Sequence, residues 1–340
     1  MIRPRTILAR AAMAAAAFLI AQTARAAETQ PLRIHGSAGV LEIGPLLRAA
    51  ELSPPGATVV RDGGIPNLWK DEVAPGAAPA QGERFGALAA PVFLGHADVA
   101  GNAETQALRN SVAHPDLRIV LTVTEGLYRV VGRRSSGITK ARDLKGKRIA
   151  TIPSTSAAYF LHRVLAGAGL TEADVTIVPL LAAPGAKALI NGEVDALAMW
   201  EPEVERARAA LGGNAVELKG DGVYREIYNL NTTAAALADP VKRAQIAAYA
   251  RALTTACNES RNAPARTYAL LAKSTGYDVK TIAAAWPHHR FGCTLPADLL
   301  DVMAQEELWL AAIDGRPPRS RKALAPLIDT SILAEVRRAK

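Results

Sequence analysis

The chain has 340 residues, a formal net charge of +8 and two cysteines. Its basic residues are scattered and are not interleaved with aromatic residues on one face, which argues against a nucleic-acid-binding protein. The first 26 residues hold four of the 40 basic residues and none of the 32 acidic ones. The rest therefore carries a net +4, which is compatible with anionic ligands without selecting them.

The N-terminus has the three parts of a secretory signal peptide. A start with three arginines precedes the apolar run Ala11–Ala21, and Ala24-Arg25-Ala26 is a small-x-small cleavage site. The run is too short for a membrane-spanning helix, and the alternative is a buried N-terminal helix. Cysteine is absent near the cleavage site, which disfavours a lipoprotein anchor. We therefore predict a signal peptide over residues 1–26 and export to the periplasm.

Strand and helix signals then follow in order. Leu32–His35 predicts a first strand, whose Gly-rich turn leads into a helix around Glu42–Ala50, and Ala57–Arg61 predicts a second strand. The stretch Lys70–Arg84 is rich in proline and glycine and predicts a loop insertion. Such an insertion either folds over a cleft as a lid or forms a mobile surface loop.

Polar residues follow the next predicted strand, at residues 95–100. Asn102 and Thr105 can both hydrogen-bond a ligand. Glu104 can pair with a ligand ammonium group, although a glutamate in this place can equally cap the next helix. A β-rich run over residues 118–133 comes next.

The segment Ile138–Arg208 alternates strand and helix signals most regularly. Pro184 suits the start of one of its helices, and Gly192 suits the left-handed end of the same helix. The alternation predicts βαβ units and a parallel sheet, in which ligands bind beyond the carboxyl ends of the strands. Two groups of polar or aromatic residues fall at such ends: Ser154-Thr155-Ser156 and Trp200-Glu201.

Within this segment, DLKGKRIAT, the Ser/Thr-rich turn after it and ALINGEVDALAMWEP resemble the substrate-binding proteins of ABC importers for nitrate, taurine and alkanesulfonates. Pyrimidine-precursor binding proteins are related to these. The resemblance is strong over residues 138–208 and weaker over residues 32–340. It implies an α/β, two-lobed periplasmic binding protein type II fold, in which each lobe is a mostly parallel sheet flanked by helices.

The resemblance also implies how the chain is divided. We expect lobe one to comprise residues 27–125 and 229–340, including a helical C-terminal part, and lobe two to comprise residues 126–228. The run Glu226–Asn231 would be the strand that returns to lobe one. Two crossings between lobes are what a hinge needs.

The resemblance places several residues at the ligand. The candidates are Ser37, Gly39, Asn102, Thr105 and Asn231 from lobe one, and Ser154, Thr155, Ser156, Trp200 and Glu201 from lobe two. The Ser-Thr-Ser turn offers hydroxyls and the N–H groups of a helix start to an oxyanion, although Ser and Thr are also ordinary N-caps. Trp200 offers a flat wall and Glu201 an acceptor, unless Glu201 only favours the helix dipole. If both groups face the ligand, a zwitterion such as taurine fits better than nitrate.

We therefore expect a monomeric periplasmic binding protein without a cofactor. It would capture a small anionic or zwitterionic solute and deliver it to an inner-membrane permease. A periplasmic enzyme or a sensory binding module on the same fold is the alternative, but no nucleophile elbow, phosphate loop or catalytic acid pair stands out. His288 and His289 are adjacent and no third ligand is spaced for zinc, which disfavours a metal site.

The cysteines leave two alternatives open. In an exported protein, Cys257 and Cys293 can form a disulfide that ties a helix to a loop. They can equally be two buried free thiols.

Overall fold

The computed structural model describes residues 31–53, 57–61, 63–69, 96–220 and 222–338. The predicted signal peptide and the predicted loop insertion Lys70–Arg84 lie outside the described residues, so both stay predictions. Within the described ranges, no helix is long and apolar enough to cross a membrane.

The strands of the described chain form two sheets. The first contains β1 (Arg33–His35), β2 (Thr58–Val60), β3 (Val99–Ala103), β4 (Leu117–Gly126), β10 (Glu226–Thr233) and β11 (His289–Arg290), in the spatial order β11-β4-β10-β3-β1-β2. The second contains β5 (Arg129–Arg133), β6 (Arg148–Thr151), β7 (Thr176–Pro179), β8 (Ala196–Met199) and β9 (Ala215–Lys219), in the order β7-β6-β8-β5-β9.

Helices flank both sheets. In chain order they are α1 (Ile43–Leu52), α2 (Glu104–Ala113), α3 (Ser156–Gly167), α4 (Ala182–Asn191), α5 (Glu203–Leu211), α6 (Ala234–Ala238), α7 (Pro240–Asn262), α8 (Ala265–Thr275), α9 (Val279–Ala285), α10 (Leu299–Ile313), α11 (Arg321–Leu324) and α12 (Ser331–Arg338). The local signals explain several of their ends. Gly192 ends α4 with a φ of 81°, and the Asp239 carboxylate caps α7 by accepting the N–H groups of Val241 and Lys242.

Strand direction decides which residues meet. In the first sheet, β1 is parallel to β2 and β3, and β10 is antiparallel to β3 and β4. The carboxyl ends of β1, β3 and β4 therefore share one edge with the amino end of β10. In the second sheet, β6 is parallel to β7 and β8, whereas β5 is antiparallel to β8. The carboxyl ends of β6 and β8 therefore share an edge with the amino end of β5.

The chain passes between the sheets at these two edges. Strand β4 ends at Gly126 and β5 begins at Arg129, while β9 ends at Lys219 and β10 begins at Glu226. Both connections are short and both join the edges just described. The two edges therefore face each other across a cleft.

Each sheet has its own hydrophobic core. In the second, Ile149, Phe160 and Leu197 are fully buried between the sheet and its helices. In the first, α7 packs on α1, where the buried Tyr249 hydroxyl donates to the carbonyl of Leu46 at 2.9 Å. Two separately packed α/β units result, and the predicted α/β fold class is confirmed. Both sheets are mixed, however, and not mostly parallel as predicted, because β5, β9, β10 and β11 pair with their neighbours in the antiparallel direction.

Candidate ligand-binding site

Four glutamates and a histidine meet at the cleft edge of the first sheet. Glu42 immediately precedes α1, Glu104 opens α2, Glu226 opens β10 and His289 opens β11. Glu306 on α10 joins them by contacting Glu104. All four carboxylates are at most 4% exposed, although glutamates are almost never fully buried unless they are paired. This edge is therefore a buried acidic cluster.

Glu42 and Glu226 bring their carboxyl groups into contact and are called the carboxyl pair below. Nε2 of His289 lies 3.2 Å from Oε1 of Glu42. Burial opposes ionisation of Glu42, but the neighbouring imidazole lowers the pKa of Glu42 overall. Burial, followed by the charges of Glu42 and Glu104, raises the pKa of Glu226 well above its usual value. The pair thus combines an ionised carboxylate with a carboxyl group that retains its proton.

A second contact joins Glu104 and Glu306. Glu104 accepts the Tyr224 hydroxyl at 2.6 Å and the N–H of Ile227 at 2.9 Å. Thr105 donates its hydroxyl to Glu306 at 3.4 Å. Burial raises the pKa of both carboxyl groups, and the charge of Glu104 raises the pKa of Glu306 further. Ionisation of this second pair is therefore also disfavoured.

The Ser-Thr-Ser turn lies at the opposing edge, beyond the end of β6. Ser154 has left-handed backbone with a φ of 60°, Thr155 is the N-cap of α3, and Ser156 is its first residue. The Thr155 hydroxyl donates to the carbonyl of Ile152 at 2.7 Å, and Oγ of Ser156 lies 3.0 Å from the Tyr128 hydroxyl. Since those two hydroxyls are engaged, the backbone N–H groups of the first helical turn are the main donors offered to a ligand.

Two polar atoms at the same edge are buried without a hydrogen-bond partner. They are Oγ1 of Thr151, at the end of β6, and Nε1 of Trp200, directly after β8. Strands β6 and β8 are neighbours, so both atoms share an edge with the start of α3. Buried donors in native proteins are nearly always paired. Two unpaired donors beside a helix start favour a ligand group that accepts hydrogen bonds.

The Glu201 carboxylate is engaged inside the protein. Its carboxylate accepts two N–H groups of Arg129, at 2.5 and 3.2 Å, and the backbone N–H of Glu205 at 3.0 Å. Arg129 also donates to Glu205 and to Glu217. The structure therefore places Glu201 in an internal ion-pair network that joins β5 to α5, and its role as an acceptor for the ligand stays a prediction.

The other lobe-one candidates are spread along the edge. Ser37 and Gly39 are exposed in the turn after β1, where Oγ of Ser37 accepts the N–H of Gly39 at 3.2 Å. Asn102 is half-buried in β3, and its Oδ1 accepts the N–H of Ala103 at 2.9 Å. Thr105 is fully buried against Glu306. Ser37, Gly39 and Asn102 therefore stay predictions as ligand contacts, whereas the Thr105 hydroxyl is engaged inside the protein.

Asn231 lies away from the cleft. It pairs with Ala100, near the amino end of β3, and so sits towards the far edge of the first sheet. Its Nδ2 donates to the carbonyls of Ala100 and Asn229, both at 3.0 Å. The structure thus places Asn231 among the buried polar residues of the sheet, and its role as a ligand contact stays a prediction.

Contacts already cross the cleft. Gln106 and Arg109 of α2 donate to the carbonyl of Ser154 at 3.3 and 3.4 Å. Farther along, the Tyr277 hydroxyl donates to Glu203 on α5 at 2.7 Å. These bonds join elements of the first unit to elements of the second. The structure is therefore a closed arrangement of the two edges.

The two cysteines lie in the first unit. Cys257 on α7 and Cys293, which follows β11, are joined by a disulfide whose Cα atoms are 6.1 Å apart. Both residues are buried in the core. The bond ties a helix to a loop.

Comparison with known families gives one match over more than half of the chain. The family model described as NMT1/THI5 like matches residues 86–267. No curated protein sequence matches the chain. The matched residues include the second sheet, both crossings, all of α7 and the start of α8.

Solved structures resemble the whole fold. The alkanesulfonate-binding protein SsuA from Xanthomonas axonopodis pv. citri, bound to MOPS, is 23% identical, with a TM-score of 0.64 over 88% of this chain and 98% of that one. The periplasmic nitrate-binding protein NrtA from Synechocystis PCC 6803 is 12% identical, with a TM-score of 0.66 over 91% and 88%. The desulfurization enzyme DSZB is 15% identical, with a TM-score of 0.59 over 91% and 100%. At identities this low, the similarity of the structures establishes a shared fold.

Proposed function

The chain belongs to the NMT1/THI5-like family, and from this premise we propose that it is the substrate-binding component of an ABC importer. It captures a small anionic or zwitterionic solute between two lobes and delivers it to a membrane permease. One observation carries the proposal. Two sheet edges with buried, incompletely paired polar groups face each other across two chain crossings. Ligands bind at such edges of open α/β sheets.

The edge of the second sheet favours an anionic group on the ligand. A helix start presents N–H groups and the positive end of the helix dipole, and the unpaired donors of Thr151 and Trp200 lie beside it. Two proteins of the same fold are described as binding an alkanesulfonate and nitrate, both of which are oxyanions.

The proposed cellular setting follows from the same function. An importer of this kind works outside the inner membrane, which fits the predicted signal peptide over residues 1–26 and a periplasmic mature protein. The proposed lobes are residues 27–125 with 229–340, and residues 126–228. The protein would act as a monomer without a cofactor and would dock in its closed form on the permease.

A first prediction tests the anion-binding edge. A thermal-shift screen against sulfonates, oxyanions, pyrimidines and aromatic acids identifies a binding compound, and calorimetry then measures its affinity. Thr151→Val keeps the side-chain shape and deletes a hydroxyl, so it should weaken binding of an anion about tenfold or more, because hydrogen bonds to charged groups contribute roughly 1.5–3 kcal/mol.

Thr176→Val is the matched control, because Thr176 opens β7 at the opposite edge of the same sheet. It should bind as wild type does. Equal affinities in both variants would remove Thr151 from the site. A screen in which no anion or zwitterion binds would contradict the proposed ligand class.

Catalysis is a second candidate, and one observation favours it. Buried carboxyl pairs with raised pKa values are frequent at acid–base sites, and DSZB, which shares the fold, is an enzyme. Incubation with each bound compound followed by mass spectrometry separates the two functions. A chemically changed compound supports an enzyme, whereas an unchanged, tightly bound compound supports the importer component.

A further inference from the structure

In the ligand-free protein, the proton that Glu226 retains accounts for the contact between Glu42 and Glu226. Two carboxylates are both hydrogen-bond acceptors, so they attract each other only when a proton or a cation lies between them. Oε2 of each glutamate is buried without a hydrogen-bond partner. The pair therefore has unused acceptor capacity that faces no water.

Neighbouring side chains point unpaired polar atoms into the same place. The Tyr228 hydroxyl is buried without a hydrogen bond of adequate geometry, and the charges of Glu42 and Glu226 both act on it. Oγ1 of Thr124, which pairs with Tyr228 across the strands, is also buried and unpaired. In a purely structural polar network, these atoms would have hydrogen-bond partners. Their common lack of a partner indicates that a ligand group completes the cluster.

The backbone leaves room for these groups. A Cβ atom added to Gly126 would lie 2.7 Å from Oε2 of Glu226, and one added to Gly101 would lie 2.7 Å from the Tyr228 hydroxyl. Both distances are too short for a real side chain. Gly126 therefore leaves room for the Glu226 carboxyl group at the edge of the sheet, and Gly101 leaves room for the Tyr228 phenol two residues inward from the end of β3.

Within the described ranges, the positive charges near the cluster are already paired. His289 compensates Glu42, to which it is bonded. Arg129 at the facing edge is held by three glutamates, and Arg225 is held by Glu125 at 3.0 Å and Asp298 at 2.7 Å. If Glu226 gave up its proton, its buried carboxylate would be uncompensated, which is costly. A cation supplied from outside would remove that cost.

We propose that Glu42, Glu226 and Tyr228 form a subsite for the ammonium group of the ligand, opposite the anion-binding start of α3. This inference rests on the proposed function and narrows its ligand class to zwitterions with a protonated amine. An organic ammonium is favoured over a metal ion, because no group of three His, Cys, Asp or Glu side chains in the described residues is arranged to hold a metal.

The subsite makes ligand binding depend on pH. A proton on Glu226 competes with the ligand ammonium, so binding strengthens as pH rises through the raised pKa of Glu226. Binding of a ligand without an ammonium group should not depend on pH in this way. The titratable and charged groups that face the pair are His289, Glu104, Glu306, Tyr128, Tyr224, Tyr228, Tyr249 and, through His289, Glu201 and His288.

Matched sulfonates test the subsite by calorimetry on the mature protein. Taurine and isethionate share a two-carbon sulfonate and differ in an ammonium or a hydroxyl group, and 3-aminopropanesulfonate and 3-hydroxypropanesulfonate are the pair one methylene longer. The ammonium member of at least one pair should bind tenfold or more tightly, and its advantage should shrink as the pH is lowered through the raised pKa of Glu226.

Glu226→Gln should abolish that preference, and so should Tyr228→Phe, which deletes only the unpaired hydroxyl. Glu193→Gln is the matched control, because Glu193 is exposed at the far edge of the second sheet, before β8. Ligand-free Glu226→Gln should also melt at a higher temperature than wild type at pH 8, since the raised pKa of Glu226 makes the wild-type fold less stable above the ordinary pKa of a glutamate. A glutamate with a merely structural role would give a lower melting temperature.

The outcomes separate the two proposals. Isethionate binding as tightly as taurine, with the same result for the longer pair, would overturn the ammonium subsite and leave the proposed function standing. A retained ammonium preference in both Glu226→Gln and Tyr228→Phe would also overturn it. If neither member of either pair binds, the sulfonate form of the proposed function fails, and the inference that rests on it is rejected as well.

Discussion

Trp200 shows how one residue can serve packing and binding together. Its ring packs against the core of the second sheet, while its Nε1 is buried without a hydrogen-bond partner at the cleft edge. Leaving a buried donor unpaired costs about 1–3 kcal/mol. The indole N–H is therefore expected to be used when a ligand arrives.

Trp200→Phe separates these two roles. It keeps a flat ring and removes the N–H, so we expect affinity for an anionic ligand to fall about tenfold, with a change of less than about 1 kcal/mol in the free energy of unfolding. Trp69→Phe should instead lower the free energy of unfolding and leave ligand affinity unchanged. The reason is that the Trp69 N–H donates to Asp116, which precedes the amino end of β4. Calorimetry and urea denaturation of both variants check the pattern, and unchanged affinity in Trp200→Phe would contradict it.

Glu307 differs from the buried glutamates of the acidic cluster, because its charge is fully compensated. It accepts hydrogen bonds from Arg316 at 2.5 Å and from Arg319 at 2.8 Å. Burial opposes its ionisation, but the hydrogen bonds from Arg319 and Arg316 lower its pKa from 4.5 to about 2. The charged form of Glu307 therefore stabilises the fold.

The sign of the pH effect follows from that lowered pKa. The stabilisation is fully present above pH 4.5 and is lost as pH falls through the folded pKa of about 2. Glu307→Gln should lower the free energy of unfolding by about 3 kcal/mol at pH 7, and the difference from wild type should shrink towards pH 2. Denaturant titrations across this range provide the measurement. A difference that is independent of pH would refute the electrostatic origin.

At the scale of elements, regular periodicity made the second sheet predictable. Strand–helix alternation over residues 138–208 predicted β6, β7 and β8, and the turn at Gly192 predicted the end of α4. These signals are local, because apolar spacing and turn residues act within one element. Strand β9 and the two-residue β11 carried too little pattern to be anticipated.

The candidate site was less predictable because its partners are distant in sequence. Glu201 looked available, but the arginine that neutralises it lies 72 positions earlier. Glu42 and Glu104 each stand between a strand and a helix, which is a local signal, yet only Glu104 was noted. Glu226 and Glu306 carry no such signal, since a glutamate at the start of a strand or inside a helix ordinarily faces solvent.

The disulfide also acts between elements. Cys257 and Cys293 are 36 positions apart and join α7 to the segment after β11. Closing a loop of this length in the unfolded chain is expected to stabilise the fold by about 3–4 kcal/mol. The double variant Cys257→Ala with Cys293→Ala should therefore melt at a lower temperature than wild type under oxidising conditions, and the two should converge in reductant. Non-reducing peptide mapping of the exported protein checks the bond directly, and two free thiols there would refute it.

At the scale of the whole molecule, the two short crossings and the contacts across the cleft suit a protein that opens and closes. The Tyr277 hydroxyl, between α8 and α9, donates to Glu203 on α5 at 2.7 Å. This bond joins the first unit to the second and lies outside the proposed ligand contacts. It therefore stabilises the closed form whether or not a ligand is present, and ligand affinity depends on how much of the protein is closed.

Tyr277→Phe removes that bond and leaves Glu203 paired with Arg206. Because one such hydrogen bond contributes about 1 kcal/mol, the variant should bind the ligand about fivefold more weakly, although it loses no contact with it. Tyr268→Phe is the control, since the Tyr268 ring packs on Trp286 within the first unit. X-ray scattering of the ligand-free Tyr277→Phe protein should show a larger radius of gyration than wild type, and saturation with ligand should restore the compact form. If affinity and scattering both match wild type, the Tyr277 bond does not control closure, and other contacts between the units, such as those of α2 on the Ser154 carbonyl and of Arg163 on Gln305, set the balance.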